Sequence, residues 1–250
     1  MFDVSSRILL KGSGFIVINK LKGEAVEGAK DGIVNLPLEL KKYFNTDFIE
    51  AVNRLDVPVT GASLFALDAK TLEFLNDVFA GSSAAKTGIN NLSAEKRYWA
   101  IIEKPKKPLR ESGELIHWIE INSKTNKSFA FDKEGNNRKK SALRYRITGE
   151  GTNYLFLEIE LLSGRHHQIR AQLAAIGLHI KGDLKYGAKR SEKTGGIRLH
   201  ARYLSFPNPQ KKDERIEVTA DLPEMDNLWR NFSEKTSHKS TEDFDTNILF

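Results

Sequence analysis

Two stretches of this 250-residue chain carry side chains suited to chemistry on a polyanion, although more than a hundred residues separate them. The first is Asn53-Arg54-Leu55-Asp56, followed by Thr60-Gly61-Ala62-Ser63-Leu64. The second is Leu162-Ser163-Gly164-Arg165-His166-His167-Gln168-Ile169-Arg170. An aspartate with an ordinary pKa near ~3.9 is ionised at neutral pH and acts as nucleophile or base without a metal. Pro58 pushes Val57 toward extended geometry, so Asp56 is expected on a stiff loop. Taken alone, it also reads as a turn or capping residue. In the second stretch Ser163 is a good N-cap and Gly164 a permissive turn residue, opening a helix whose free N–H groups and positive dipole end favour an anion. On that helix His166, His167 and Arg170 share one polar side, while Ile169 and Leu173 turn toward the core. The two histidines by themselves read as surface or capping residues, and no third ligand is spaced suitably for zinc.

Strands and helices must position these groups. Residues 15–20 form an apolar run between Gly14 and Gly23, the pattern of a buried strand. Residues 62–68 are strand-like and lead into a helix over 71–79, with Leu75 and Phe79 four apart and Asp68 or Thr71 as cap. Residues 81–92 are small and polar, a mobile-loop composition, and a Lys/Pro linker at 104–108 follows a strand at 97–102. Further strands are expected at 115–121, 142–147, 154–162, 198–206 and 215–220. The basic residues 136–140 read as an exposed turn, open to phosphate contact or simply solvated. Ile169, Leu173 and Ile176 mark the apolar face of a helix ending at Gly177. Strands in hairpin-like succession favour an α+β fold: one catalytic domain over residues 1–232, around a mixed, largely antiparallel sheet with flanking helices and loops. Residues 233–250 read as a loosely ordered polar tail.

The apolar fraction of 40% is ordinary for a globular core. With no cysteine there is no disulfide, thiolate nucleophile or cysteine-held zinc, which fits a cytoplasmic compartment. No signal-peptide pattern and no membrane-length apolar run is visible, and the few residues before the first strand leave no room for an N-terminal RNA-binding module. The net charge of +6 is unevenly spread: residues 211–250 carry six basic and ten acidic residues, so residues 1–210 carry +10. A basic body suits a nucleic-acid backbone and equally suits a solvated lysine-rich surface.

With Thr60-Gly61, the Asn53-Arg54-Leu55-Asp56 segment resembles the catalytic-aspartate motif of the RluA-type RNA pseudouridine synthases, usually His-Arg-Leu-Asp followed by Thr/Ser-Gly. Residues 163–170 resemble the family's Gly-Arg-x-His-Gln-Ile-Arg motif. Three further segments follow the family pattern: Lys96-Arg97-Tyr98-Trp99-Ala100, residues 176–187, and Leu199-His200-Ala201 with Phe206-Pro207. The resemblance covers about Phe15 to Ala220. It implies a catalytic α+β domain that converts uridine in structured RNA, ribosomal or transfer, to pseudouridine, with no metal, organic cofactor or obligate protein partner, as a monomer. By position it implies Asp56 as the catalytic carboxylate acting at the ribose C1′/C2′ region. Tyr98 packs on the uracil and is available as base, Arg170 pairs with Asp56, and Arg54 opens or contacts the RNA. Asn53, Arg165, His167 and Gln168 are the remaining substrate-binding candidates.

Two residues depart from the pattern, Asn53 for the usual histidine and His179 for a common proline, and the Val57-Pro58-Val59 spacer is less polar than usual. An inactive RNA-binding protein of the same fold is the alternative these departures suggest. A hydrolase using Asp56 is a third reading; it needs a second acid, for which Asp183 is the best candidate although its context reads as a turn.

Overall fold

A computed structural model describes residues 4–80, 93–223 and 226–237. The chain divides into two compact units that interleave in sequence, Met1–Tyr98 with Glu192–Pro223, and Trp99–Ser191 with Glu224–Phe250. Both are built on largely antiparallel β-structure, with parallel pairs in the first, and helices are laid against it, the expected α+β class.

In the first unit β1 (Ile8–Gly12) and β2 (Phe15–Lys20) make an antiparallel hairpin. Short strands β3 (Glu24–Ala25) and β4 (Val34–Asn35) pair in parallel and lead into α1 (Leu36–Phe44). Next come β5 (Glu50–Ala51), β6 (Thr60–Ala66) and α2 (Ala69–Phe79). Strand β7 (Glu95–Glu103) starts in this unit and ends in the other. Strands β12 (Leu199–Pro207) and β13 (Arg215–Thr219) complete the unit, whose strand order is β1-β2-β6-β12, with β5 on β6 and β13 on β12.

Strand β2 is a continuous apolar run because both of its faces are covered. Phe15 and Val17 join Leu64, Phe206 and the α2 residues Leu75 and Val78, while Ile16 and Ile18 join Phe65 and the α1 residues Leu36 and Leu40. Helix α2 is capped as expected, Asp68 accepting from the Thr71 amide at 2.7 Å. Strands β6 and β12 pair in parallel through Thr60–His200 and Gly61–Ala201. Gly61 has φ +112°, and a Cβ there would collide with the Ala201 backbone, so the family-like Thr-Gly pair is a requirement of close strand approach.

In the second unit β7 continues beside β11 (Tyr154–Leu161), then β10 (Lys139–Glu150), β8 (Ser112–Asn122) and the edge strand β9 (Lys127–Phe131). Helix α3 (Gln168–Ala175) packs on β8 and β9, and α4 (Asn227–Ser237) packs on β10.

Several expectations need correction. Helix α1 escapes the sequence reading, although Asn35 caps it through the Leu38 amide at 3.1 Å. Of the basic stretch 136–140, only the Asn136-Asn137 turn matches: Lys139 and Lys140 belong to β10, and Arg138 lies 3.5 Å over the Phe131 ring and bonds Glu120. Ile176 caps α3 at its C-terminus and is 39% exposed, so it is not part of the buried face. The loose tail does not start at 233, because α4 continues to Ser237 with Thr236 buried. Its aromatic residues decide this: Phe232 is fully buried and stacks on Trp99 at 4.5 Å and Phe156 at 5.0 Å. The polar loop at 81–92 and the chain after 237 lie outside the described residues.

Truncating Phe232→Ala should therefore destabilise the protein by about 3–5 kcal/mol in urea denaturation, as for a core aromatic; a loss under about 1 kcal/mol would place α4 outside the core.

Candidate active site

Asp56 stands half-buried on the loop between β5 and β6, where a turn is closed by the Val59 N–H donating to the Asp56 carbonyl at 2.9 Å. Val57 and Pro58 are the central residues of this turn, and neighbouring elements fasten it. Gly23 N–H donates to the Val57 carbonyl at 2.8 Å, and Ile197 N–H to the Pro58 carbonyl at 3.1 Å. The Lys20 ammonium, at the end of β2, donates to the carbonyls of Leu21, Asp56, Val57 and Val59 at 3.0, 3.2, 3.3 and 2.6 Å.

Asn53 is buried and holds the start of the same loop on β6, its Nδ2 donating to the Ala62 carbonyl at 3.1 Å and its Oδ1 accepting from the Leu64 amide at 2.6 Å. Both groups of its side-chain amide thus bond to the protein's own backbone. Arg54 is exposed, 3.5 Å from exposed Glu27, a pairing too solvated to hold it firmly. Tyr98, on β7, is buried; burial first and the Asp56 carboxylate second push its phenol well above the ordinary tyrosine range. At neutral pH it is a neutral hydroxyl and an apolar ring face, not a phenolate base. Thr60 and His200 meet side by side across β6 and β12, Oγ1 to Nδ1 at 2.8 Å. Burial takes the His200 pKa down to about 3.

In the second unit the structure overturns one local expectation. The helix begins at Gln168, not after Ser163, and His167 precedes it in the left-handed region at φ 51°. Gln168 explains the difference. Its Oε1 accepts from the Arg165 amide at 3.0 Å and the Ser163 hydroxyl at 2.8 Å, and its Nε2 donates to the Ala142 carbonyl at 3.0 Å. Gln168 is a buried brace for the loop, and the Arg165 amide, one of the donors expected to cradle an anion, is taken. The Arg165 side chain is exposed. His166 and His167 stack at 3.8 Å between ring centroids; Nδ1 of His166 meets the Ser128 hydroxyl at 2.8 Å and Nδ1 of His167 the Tyr186 hydroxyl at 2.9 Å. The shared polar stripe with Arg170 is therefore replaced by two histidines tied to β9 and to the turn at Tyr186.

Arg170 is buried on α3, and its Nε and Nη2 donate to the two carboxylate oxygens of Asp183 at 2.7 and 2.8 Å. The guanidinium carbon also lies 4.8 Å from the centre of the Tyr186 ring. Asp183 uses two of five guanidinium N–H donors and fixes the plane of the group.

Sequence reasoning missed Lys20, the Asp183 and Tyr186 supports of Arg170, and the Thr60–His200 pair. A signal for Lys20 existed: it shares the face of Ile16 and Ile18 in a strand buried throughout, so its period-two position points inward.

A family model described as RNA pseudouridylate synthase matches residues 14–175, which include Asp56, Tyr98 and Arg170. The chain belongs to this family. Its members are isomerases that act on RNA, and the RluA-type resemblance in the motifs is explained by membership. The chain is 32% identical over 185 residues to ribosomal large subunit pseudouridine synthase C of Rickettsia bellii, covering 72% of this chain and 56% of that one. It is 28% identical over 243 residues to tRNA pseudouridine synthase C of Haemophilus ducreyi, covering 89% and 92%. It is 24% identical over 272 residues to the mitochondrial RNA pseudouridine synthase 4 of Arabidopsis thaliana, covering 90% and 57%. The chain thus spans little more than half the length of the first and third of these relatives. The fold matches that of human RNA Pseudouridylate Synthase Domain Containing 4 with a TM-score of 0.68 at 19% identity, over 94% of each chain.

Two outcomes follow from the buried ionisable groups. Asp183→Ala takes away the two charge-assisted hydrogen bonds that fix the buried Arg170 guanidinium and should lower stability by about 3–5 kcal/mol in chemical denaturation. His200 is neutral in the fold and takes up a proton on unfolding, because its pKa of about 3 lies below the unfolded value. Its stabilising effect is complete above about pH 6.5 and fades as pH falls toward 3, by about 1.4 kcal/mol per pH unit. Denaturation midpoints between pH 7 and 5 should show this slope in the wild type and lose it in His200→Gln.

Proposed function

We propose that the chain isomerises uridine to pseudouridine in a structured RNA, ribosomal or transfer, with Asp56 as the catalytic carboxylate. The observation that carries this reading is the family match over residues 14–175 together with Asp56 on a turn whose main chain is fastened by neighbouring elements. The reaction breaks the bond from uracil N1 to ribose C1′, turns the base and joins its C5 to C1′. A proton leaves C5 and N1 gains one, so reactant and product hold the same atoms and no redox partner enters. Asp56 supplies an anion at the sugar, whether through a covalent adduct or through elimination at C2′. Tyr98 offers its ring face to the uracil, and its elevated pKa favours this packing role over proton abstraction. Arg170 is assigned to restrain Asp56, its plane already fixed by Asp183. Exposed Arg54 and Arg165 are assigned to the RNA, Arg54 filling the space left when the target nucleotide leaves its stack.

His167 and Gln168 are reassigned from substrate contact to support of the loop that bears Arg165. The Asn53 departure weakens the case for catalysis less than the sequence suggests, because its side-chain amide braces the loop on β6. The hydrolase reading loses its second acid: Asp183 is 1% exposed and both of its oxygens accept from Arg170.

Mass-resolved pseudouridine mapping of total RNA from cells lacking the chain, complemented with wild type or Asp56→Ala, tests the proposal. A site restored by wild type alone is expected, with Asp56→Ala down by about 10³-fold or more in rate. Full activity in Asp56→Ala would remove the carboxylate assignment, and RNA binding with no changed uridine would leave an inactive binder.

A further inference from the structure

We propose that the outward face of strands β8, β9 and β10 docks an unpaired stretch of RNA that flanks the target nucleotide. Its bases stack on Trp118, Phe129 and Phe131, and its phosphates meet Lys127, Arg138 and Lys140. This rests on the RNA substrate assigned above and extends it to the flanking strand. The strand period gives the sheet two faces. On the helix side His117 and Ile119 are buried, Nδ1 of His117 meeting Nε2 of Gln172 on α3 at 3.2 Å, and the Ser128 hydroxyl donates to the His166 carbonyl at 2.7 Å. Trp118, Phe129 and Phe131 alternate with these residues and point the other way. Register sets Phe131 and Lys140 opposite Trp118, one on each side. Phe129 is 43% and Ile116 39% exposed, with Trp118 and Phe131 half-buried. An apolar patch of this kind on a solvent face marks an interaction site.

Charge selects the occupant. Residues 121–140 carry six basic and two acidic residues, so this stretch holds +4 of the chain's net +6. Arg138 lies 3.5 Å over the Phe131 ring, and the Lys127 ammonium is 5.4 Å from the centre of the Phe129 ring. Glu120 is paired with Arg138 at 3.2 Å and Glu114 with Arg144 at 3.7 Å, so neither faces the docked strand as a lone anion. Cations interleaved with aromatic faces hold the backbone and the bases of a single strand together. The face is also continuous with the side that bears Arg165 and Arg170. Lys127 is 5.0 Å from the centre of the Tyr186 ring that supports Arg170, which sets it at the sheet edge between the two faces. The Arg165 loop is tied to the same edge strand through Ser128. An RNA strand passing Arg165 therefore reaches Phe129 by crossing β9 alone.

The test uses the full chain and an oligoadenylate of about 12 nucleotides, which offers the catalytic pocket no uridine. Binding should quench the emission of Trp118 saturably; Trp118→Phe should bind as wild type does but lose that quench. Phe129→Ala should weaken binding about tenfold, the scale of one lost stacking contact. Replacing Lys127→Gln and Lys140→Gln together should reduce the slope of log affinity against log salt by about 1.4, the share of two single-strand phosphates. With total RNA from cells lacking the chain, Phe129→Ala should raise the half-saturating concentration about tenfold and leave the saturated rate of pseudouridine formation within about twofold. Wild-type affinity in folded Phe129→Ala, or an unchanged salt slope in the double lysine variant, overturns the proposal. If Phe129→Ala turns a sedimenting dimer into a monomer and RNA affinity stays the same, the face joins two copies of the chain and the proposal falls. Should Phe129→Ala fail to fold, the Trp118 quench and the salt slope decide. A wild type that changes no uridine while oligoadenylate still docks sinks the isomerase reading alone, whereas an active wild type beside a normal Phe129→Ala sinks only the docking surface.

Discussion

A cation withdrawn from water needs fixed partners, and each of the two units holds one beside a candidate site residue. In the first unit the cation is Lys20, met by converging carbonyls; in the second it is Arg170, met by Asp183 and the Tyr186 ring. Desolvating a charge costs several kcal/mol, about what good hydrogen-bond geometry returns, so such groups hold shape more than they add stability. The shape they hold is that of the segments bearing Asp56 and the Arg170 guanidinium.

This arrangement suits an isomerisation in which nothing is added and nothing removed. The protein's contribution to such a reaction is to hold groups in place and keep water away, and both require side chains that do not rearrange during the step. The Asp56 turn has its carbonyls taken by Val59, Gly23, Ile197 and Lys20, so its main chain has few alternatives. The loop before α3 is secured differently, by the Gln168 side chain reaching back to Ser163 and Arg165. One loop is pinned by a charge and the other by an amide.

The departures from the family pattern fit the same logic. Asn53 cannot become cationic as the usual histidine can, yet its amide donates and accepts at fixed backbone groups. His179 stands where a proline is common, and its Nδ1 bonds the Tyr186 carbonyl at 2.7 Å, tying the turn that carries the Arg170 support. A ring that restricts the backbone is replaced by a ring that bonds it.

What the sequence by itself determined was the class of the fold, the strands buried on one or both faces, the Asp68 cap of α2, and the family-like segments containing Asp56, Tyr98 and Arg170. These are legible because apolar periodicity, capping and turn chemistry act over a few residues. It did not reveal that Ser163 lies in a braced loop before the helix, that Phe232 carries α4 past residue 233 into the core, or that Gln168 is a brace. Nor did it name the partners of the two buried cations. Lys20 meets carbonyls more than thirty residues away and Arg170 an aspartate thirteen residues away. Such partners are chosen by which distant segments the packed core brings within about 3 Å, and only the tertiary structure decided that, because a hydrogen bond is specified by position in space and not by separation along the chain.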